Sequence, residues 1–286
     1  MIKVMEAGFY TTIQDQGRFG FRHLGVPTSG PMDSQAFRLA NALLPLKDEQ
    51  TVFECTLTGP ILEINAPLRF VATGANVPID LDGQPCAMNQ VHFAPKGSRL
   101  KFGKISTGVR FYLRFEAIFD LPKYFDSVSF YPALGSPSRL EKGDELSIVS
   151  FPNHTKVAHA KVNIAQDYLR LSKLDVQPGT DWERLTTAQQ KQLMEETHKV
   201  LAQNRMGYRL SSTIVVTAPQ LLSQLILPGM VQLTPSGEIL IATADCQVSG
   251  GYLQVLCLSE EALAVLVQKR EGEQLTFRNT LPQKQP

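Results

Sequence analysis

Val109-Arg110-Phe111-Tyr112-Leu113-Arg114-Phe115 reads as a β-strand. Val109, Phe111, Leu113 and Phe115 fall on one face and Arg110, Tyr112 and Arg114 on the other, the period of two that a pleated strand imposes. Similar short runs recur at Pro60-Ile61-Leu62-Glu63-Ile64, Leu68-Arg69-Phe70-Val71-Ala72 and Glu238-Ile239-Leu240-Ile241-Ala242. Asp82-Gly83, after Pro78-Ile79-Asp80-Leu81, has the residue types of a tight hairpin turn. Glu145-Leu146-Ser147-Ile148-Val149 leaves the Gly143-Asp144 turn as a strand, and Leu275-Thr276-Phe277 does the same after Gly272. Helices are few. Asp33 is placed to cap one in which Ala36, Leu39, Ala40, Leu43 and Leu44 share a face. A second is expected over residues 187–203, with Leu193, Met194, Val200 and Leu201 as its apolar side. A third starts at Ser259, carries Glu260 and Glu261 in its first turn and ends near Lys269 and Arg270, charges that suit a helix dipole.

The pattern is mainly β with a few helices, set at intervals rather than alternating with strands. That argues against a doubly wound parallel sheet and for barrel-like or sandwich-like domains. The 286 residues allow one large domain or two smaller ones. The polar stretch 151–161, with Pro152, Asn153 and His154, reads as a linker. It divides the chain into 1–150 and 151–286, with exchange of strands across that boundary left open.

Lys and Arg total 28 against 27 for Asp and Glu, a net charge of +1, so the basic excess of a nucleic-acid binder is missing. No run of about 18 apolar residues exists to span a membrane. Glu6 arrives early and no apolar signal core follows it, so a cytoplasmic location is expected. Cys55, Cys86, Cys246 and Cys257 form no C-x-x-C pair and read as buried, reduced thiols. The five histidines, at 23, 92, 154, 159 and 198, lack metal-ligand spacing, and no metal site is expected.

No phosphate loop, zinc helix or nucleophile elbow occurs. Any ATP used in the chemistry is expected to bind on a partner chain or at a site outside those motifs. Ala87-Met88-Asn89 loosely follows a biotin-attachment segment, but Asn89 stands where the acceptor lysine belongs, so the chain carries no biotin.

Three polar clusters remain. Residues 11–33 place Gln14, Asp15, Arg18, Arg22, His23, Ser29 and Asp33 between Gly17, Gly20, Gly25 and Gly30, ahead of a helix start. Such a loop suits an anionic group, since glycines allow close backbone approach and a helix N-terminus adds donors. A structural loop with its own hydrogen-bond network is the alternative. Asn204-Arg205-Met206-Gly207-Tyr208-Arg209-Leu210 offers Arg205 and Arg209 for a carboxylate, with Gly207 otherwise a helix cap. Gln232–Gly237 is followed by Asp245, Gly250, Gly251 and Tyr252, either a site wall or a β-bulge.

In order, these clusters resemble the allophanate hydrolase subunit 2 family, also known as KipA-like proteins, as the C subunit of 5-oxoprolinase and as half of the carboxyltransferase domain of urea carboxylase. The run T-T-I-Q-D-x-G-R-x-G at 11–20 with G-V-P-x-S-G-x-M-D at 25–33 is similar to the family's opening signature. Leu39-Ala40-Asn41, Glu54 with Thr58-Gly59-Pro60, Thr73-Gly74-Ala75 and the two later clusters extend the resemblance over nearly the whole chain.

The resemblance implies two cyclophilin-like β-barrel domains, a cytoplasmic protein and a homologous partner, the B subunit or allophanate hydrolase subunit 1. With an A subunit as well, such proteins open 5-oxoproline to L-glutamate using ATP, acting as a hydrolase on a cyclic amide. Alternatives within the family are a non-catalytic regulator that binds and antagonises a kinase inhibitor resembling the B subunit, and a component of a biotin-dependent carboxyltransferase. On the leading reading, Arg18 with Arg205 or Arg209 contacts a carboxylate or phosphate, with His23, Ser29 and Tyr252 also on the substrate. Gln14 and Asp15 orient the lactam or a water. Asp245 is a base or an anchor of Gly250-Gly251-Tyr252. Gly17, Gly20, Gly30, Gly250 and Gly251 shape the loops. One stretch departs from the family pattern: Glu116-Ala117-Ile118 replaces a Gly-Gly turn, and the later loop Phe125-Asp126-Ser127-Val128-Ser129-Phe130 keeps two serines but lacks an arginine. Losing a charged hydrogen bond there removes about 1.5–3 kcal/mol of anion contact.

Overall fold

The computed structural model describes residues 1–46, 49–150, 166–216 and 222–280. The expected linker at 151–161 lies outside the described residues. The chain forms two compact units, Met1–Arg18 with Ser29–Gln166, and Phe19–Thr28 with Asp167–Pro286. The short segment Phe19–Thr28 therefore leaves the first unit and packs within the second.

The first unit holds two large sheets. One orders Glu145–Leu146, Ile2–Glu6, Ile61–Ile64, Ser98–Phe102, Ile79–Leu81 and Gln84–Cys86; the other orders Tyr10–Gln14, Val52–Thr56, Thr107–Phe115, Leu68–Asn76 and His92–Ala94. These are open sheets, not the closed barrel the family resemblance implies for this half. Their edges suit termination: Pro85 sits in the Gln84–Cys86 edge strand, where a residue without an N–H can be tolerated. Asp82 and Gly83 both have positive φ, 53° and 82°, and make the expected hairpin turn.

The alternation of Thr107–Phe115 sorts its side chains as the sequence implies, but neither face meets water. Phe111, Leu113 and Phe115 enter the core between the sheets, where Phe53 and Phe115 meet edge-on with ring centroids 5.4 Å apart. Tyr112 enters a second cluster beneath helix α1, Ser34–Leu43, with Ala36, Phe37, Ala40 and Leu44. Arg114, also buried, donates from Nε to the Leu44 carbonyl at 2.7 Å and from Nη1 to Thr51 O at 3.1 Å, closing the end of α1. Burial lowers the Arg114 pKa to about 10. Asp33 caps α1 as expected, its Oδ1 accepting from Ala36 N at 3.0 Å.

The second unit contains a closed seven-strand barrel: Lys173–Pro178, Leu253–Leu258, Met230–Leu233, Ile239–Ala242, Gly207–Leu210, His198–Gln203 and Gln274–Asn279. An odd ring cannot be antiparallel throughout, and Lys173–Pro178 closes it by pairing parallel with Gln274–Asn279.

Two helix expectations need correction. Helix α2 spans Thr187–Glu195 only, started by a capping box in which the Thr186 and Gln189 side chains each take the other's backbone N–H. The rest of the expected helix is the strand His198–Gln203. There Val200 is buried and Leu201 is exposed, an alternation fixed by pairing with Gly207–Leu210. The buried His198 holds that switch, with Nε2 against Leu193 O at 3.0 Å and Nδ1 against Ser211 O at 2.9 Å. Helix α3 covers Glu260–Leu266, capped by Ser259. Lys269 lies beyond its end, is buried, and donates from Nζ to Leu169 O at 2.9 Å instead of facing the helix terminus. Among the described residues, no helix is long and apolar enough to cross a membrane.

Candidate functional site

The expected site residues divide between the two units. Gln14, Asp15, Gly17, Arg18, Ser29 and Gly30 belong to the first; Gly20, His23, Arg205, Arg209, Asp245, Gly250, Gly251 and Tyr252 belong to the second.

In the first unit the polar residues knit the loop together. Asp15 Oδ1 accepts from Gly17 N at 2.8 Å, Ser127 Oγ at 2.6 Å and Ser129 Oγ at 2.7 Å, while Oδ2 accepts from Val128 N at 2.9 Å. A carboxylate holding four donors has its acceptor positions occupied, so in this geometry Asp15 anchors the loop. Arg18, buried, donates from Nε to Tyr124 O at 3.2 Å and from Nη2 to Ser129 O. Gln14 is buried and donates from Nε2 to Thr12 Oγ1 at 3.0 Å. Ser29 is buried with φ at 57°. At Gly30, φ is 81° and an added Cβ would sit 2.9 Å from Gln16 O, so only glycine fits the turn into α1. Behind that turn the buried Glu54 accepts from Met32 N and Tyr112 Oη, both at 2.8 Å. Burial and the nearby Glu54 and Asp33 charges hold the Tyr112 phenol well above its ordinary pKa.

In the second unit a cavity of about 730 Å³ opens beside the barrel. Arg209, Gly251 and Tyr252 line it, so three of the expected residues converge there. Arg209 also pairs with Glu238 at the surface. Arg205 and Asp245 do not present free charges: Arg205 Nε and Nη2 donate to Asp245 Oδ2 and Oδ1 at 2.7 and 3.1 Å. Both are buried, so this bidentate pair ties two turns together, and Asp245 is an anchor here, not a free base. Asn204 Oδ1 accepts from Met206 N and Gly207 N at 2.8 and 3.0 Å, a tight turn between strands. Gly207 thus opens a strand and caps no helix. Gly250 pairs with Gln224 in a short ladder. His23 is exposed in a short 3-10 turn and Gly20 has φ at 89°.

Two residues named in the sequence clusters, but not among the expected site residues, stand out here, one on the cavity wall and one beside it. Gln232 lines the cavity, is 4% exposed, and its Nε2 lacks a hydrogen-bond partner. Arg22 donates from Nη2 to the carbonyl of Ile226, a lining residue, and lies beside the Cys246 thiol, another lining residue. Burial raises the Cys246 pKa and the Arg22 charge opposes the rise. Arg22 stands in the glycine-punctuated loop and Gln232 opens the third polar cluster, so the sequence marked both as places, but nothing local to either marked it as a binding residue. Among the described residues, no group of three or more His, Cys, Asp or Glu is arranged to hold a metal.

The family model described as carboxyltransferase domain, subdomain A and B, matches residues 24–279. The chain belongs to this family. The C subunit of 5-oxoprolinase from Escherichia coli (strain K12) is 30% identical over 284 residues, which are 97% of this chain and 90% of that protein. The corresponding C subunit from Haemophilus influenzae is 29% identical over the same shares. The crystal structure of TTHA0988 superposes with a TM-score of 0.87 at 26% identity, covering 97% of this chain and 55% of the other. That of the Kluyveromyces lactis urea amidolyase gives 0.86 at 25% identity, covering 96% of this chain and 18% of the other. The present chain thus corresponds to a part of those longer ones. In this carboxyltransferase-domain member, the two serines of the departing loop are the Asp15 partners Ser127 and Ser129, and Glu116 forms a partly buried ion pair with Arg69.

Proposed function

We propose that this chain is the C subunit of an ATP-dependent 5-oxoprolinase, which together with A and B subunits hydrolyses 5-oxoproline to L-glutamate. The observation that carries the reading is identity of 30% to the C subunit of a 5-oxoprolinase across 97% of this chain and 90% of that protein. The second-unit cavity supports it: polar Gln232, Asn204 and Gln247 beside apolar Ile226 and Leu240 suit a small, mostly apolar ring bearing acceptors. Hydrolysis breaks the ring amide and adds water across it. ATP is a substrate of the complex, and phosphorylation of the amide oxygen would activate the carbonyl. This chain's part is to hold the lactam in its cavity, with no covalently bound cofactor and with the nucleotide on a partner subunit. The protein acts in the cytoplasm.

The test is glutamate release from 5-oxoproline and ATP by the three purified subunits, each omitted in turn. Release that requires this chain supports the reading. A stable complex without any release overturns it. Urea amidolyase of Saccharomyces cerevisiae is 34% identical over 59% of this chain. That similarity favours a second reading, a carboxyltransferase component supplied with biotin by another chain, and carboxyl transfer to urea in the same mixtures would select it.

A further inference from the structure

The cavity of the second unit and the side chain packed behind its wall hold polar groups whose hydrogen-bonding capacity the fold does not use. Gln232 projects from the barrel strand Met230–Leu233 and lines the cavity; its Nε2 is shielded from solvent and has no acceptor. A carboxamide N–H left so costs about 1–3 kcal/mol, so such groups persist where something else supplies the acceptor. Arg22 behaves alike. Its Nη2 is used on Ile226 O and the side chain reaches the Cys246 thiol, while Nε and Nη1 are shielded and lack hydrogen-bond partners. No carboxylate among the described residues forms an ion pair with it. The nearby Asp245 is committed in bidentate fashion to Arg205. A shielded guanidinium without a counter-charge is unfavourable and awaits an anion. Ile226 and Cys246 connect the two groups: both line the cavity, Arg22 contacts both, and the two pack together with Ala242. Gly250 keeps this corner open: a Cβ there would lie 2.6 Å from Ile226 Cδ1, 2.8 Å from Gln247 Nε2 and 3.5 Å from Gln232 Nε2.

We infer that Arg22 and Gln232 form a two-point recognition site for a small carboxylate-bearing amide, the guanidinium taking the carboxylate and the Gln232 N–H taking the amide carbonyl. The wall of Ile226 and Leu240 covers the ring between them. The inference rests on the oxoprolinase reading for the identity of the lactam, but the requirement for one anionic and one neutral acceptor comes from the two side chains. Arg22 and Gln232 are binding residues, with no bond made or broken at either.

The test is calorimetric titration of the full-length chain with 5-oxoproline, with pyrrolidinone, which lacks the carboxylate, and with cyclopentanecarboxylate, which lacks the amide. Saturable binding of 5-oxoproline is expected, with each truncated ligand weaker by about tenfold or more, the loss of a charged or buried hydrogen bond. Arg22→Met and Gln232→Leu are expected to weaken 5-oxoproline by a similar factor. Gln232→Leu should not lower the thermal midpoint appreciably, because it removes an unsatisfied group, whereas Arg22→Met also gives up the bond to Ile226 O and is titrated at a temperature where it is shown to be folded. Arg22→Lys keeps the charge but loses the fork and is expected to fall between. Binding that ignores the carboxylate, or that survives both substitutions, overturns the inference. So does a failure of the folded wild-type chain to bind 5-oxoproline. Binding that follows these expectations in a chain that supports no glutamate release would retain the site and reject the oxoprolinase reading.

Discussion

Arg205 and Asp245 close on each other through two hydrogen bonds, of 2.7 and 3.1 Å, with both side chains only 9% exposed. A third bond, Asp245 N to Arg205 O at 2.8 Å, adds the backbone to the clasp. Removing one partner strands the other charge in a shielded place. Asp245→Ala or Arg205→Ala is therefore expected to destabilise by about 3–5 kcal/mol, whereas the apolar double variant Arg205→Met with Asp245→Leu costs much less. Urea unfolding of the three variants checks this. An additive double variant would show that the pair is not a coupled unit.

Asp15 gathers four donors from Gly17, Ser127, Val128 and Ser129. Asp15→Ala orphans all four and is expected to cost roughly 2–4 kcal/mol, while Ser127→Ala and Ser129→Ala cost about 1 kcal/mol each. Chemical denaturation measures all three. Equal effects from Asp15→Ala and a single serine variant would contradict the hub arrangement.

Arg209 and Glu238 form an ion pair with half-exposed side chains, 50% and 38%. Such a pair contributes about 0–1 kcal/mol. Arg209→Ala is thus expected to leave the thermal midpoint nearly unchanged. Its place on the cavity wall predicts a raised KM for 5-oxoproline in the reconstituted complex, and an unchanged KM would remove Arg209 from the site.

Asp175 receives Nε and Nη2 of Arg278 at 2.5 and 2.8 Å across the parallel closure of the barrel. Those hydrogen bonds hold the Asp175 carboxyl below its ordinary pKa. The stability this contributes is complete above the unfolded value of about 3.9. It is lost as pH falls through the lower folded value. Asp175→Asn should therefore lower stability at neutral pH and flatten the decline in acid. Guanidinium unfolding at a series of pH values tests the difference in slope.

The Ser34–Leu43 helix, its Asp33 cap, the Asp82-Gly83 hairpin and the two faces of Thr107–Phe115 follow from residues close in sequence, and all were legible there. The strand at His198–Gln203 was not. Leu193, Met194, Val200 and Leu201 fit a helical period, and only pairing with Gly207–Leu210 and the carbonyls around His198 override it. The polar clusters were legible as places but not as roles. Asp15 meets Ser127 across 112 residues, and Arg205 meets Asp245 across 40. No local pattern records such partners, so a carboxylate that reads as a base becomes an anchor once its lone pairs are taken. Arg22 and Gln232 came out the opposite way, their unused donors appearing only after the chain folds. The sequence by itself determined the β architecture, the caps and turns, and the family resemblance, because each depends on short-range periodicity and residue type. Closure of one barrel, the transfer of Phe19–Thr28 into the second unit, and which polar groups stay unsatisfied were decided by tertiary structure. Those depend on which distant groups meet away from water.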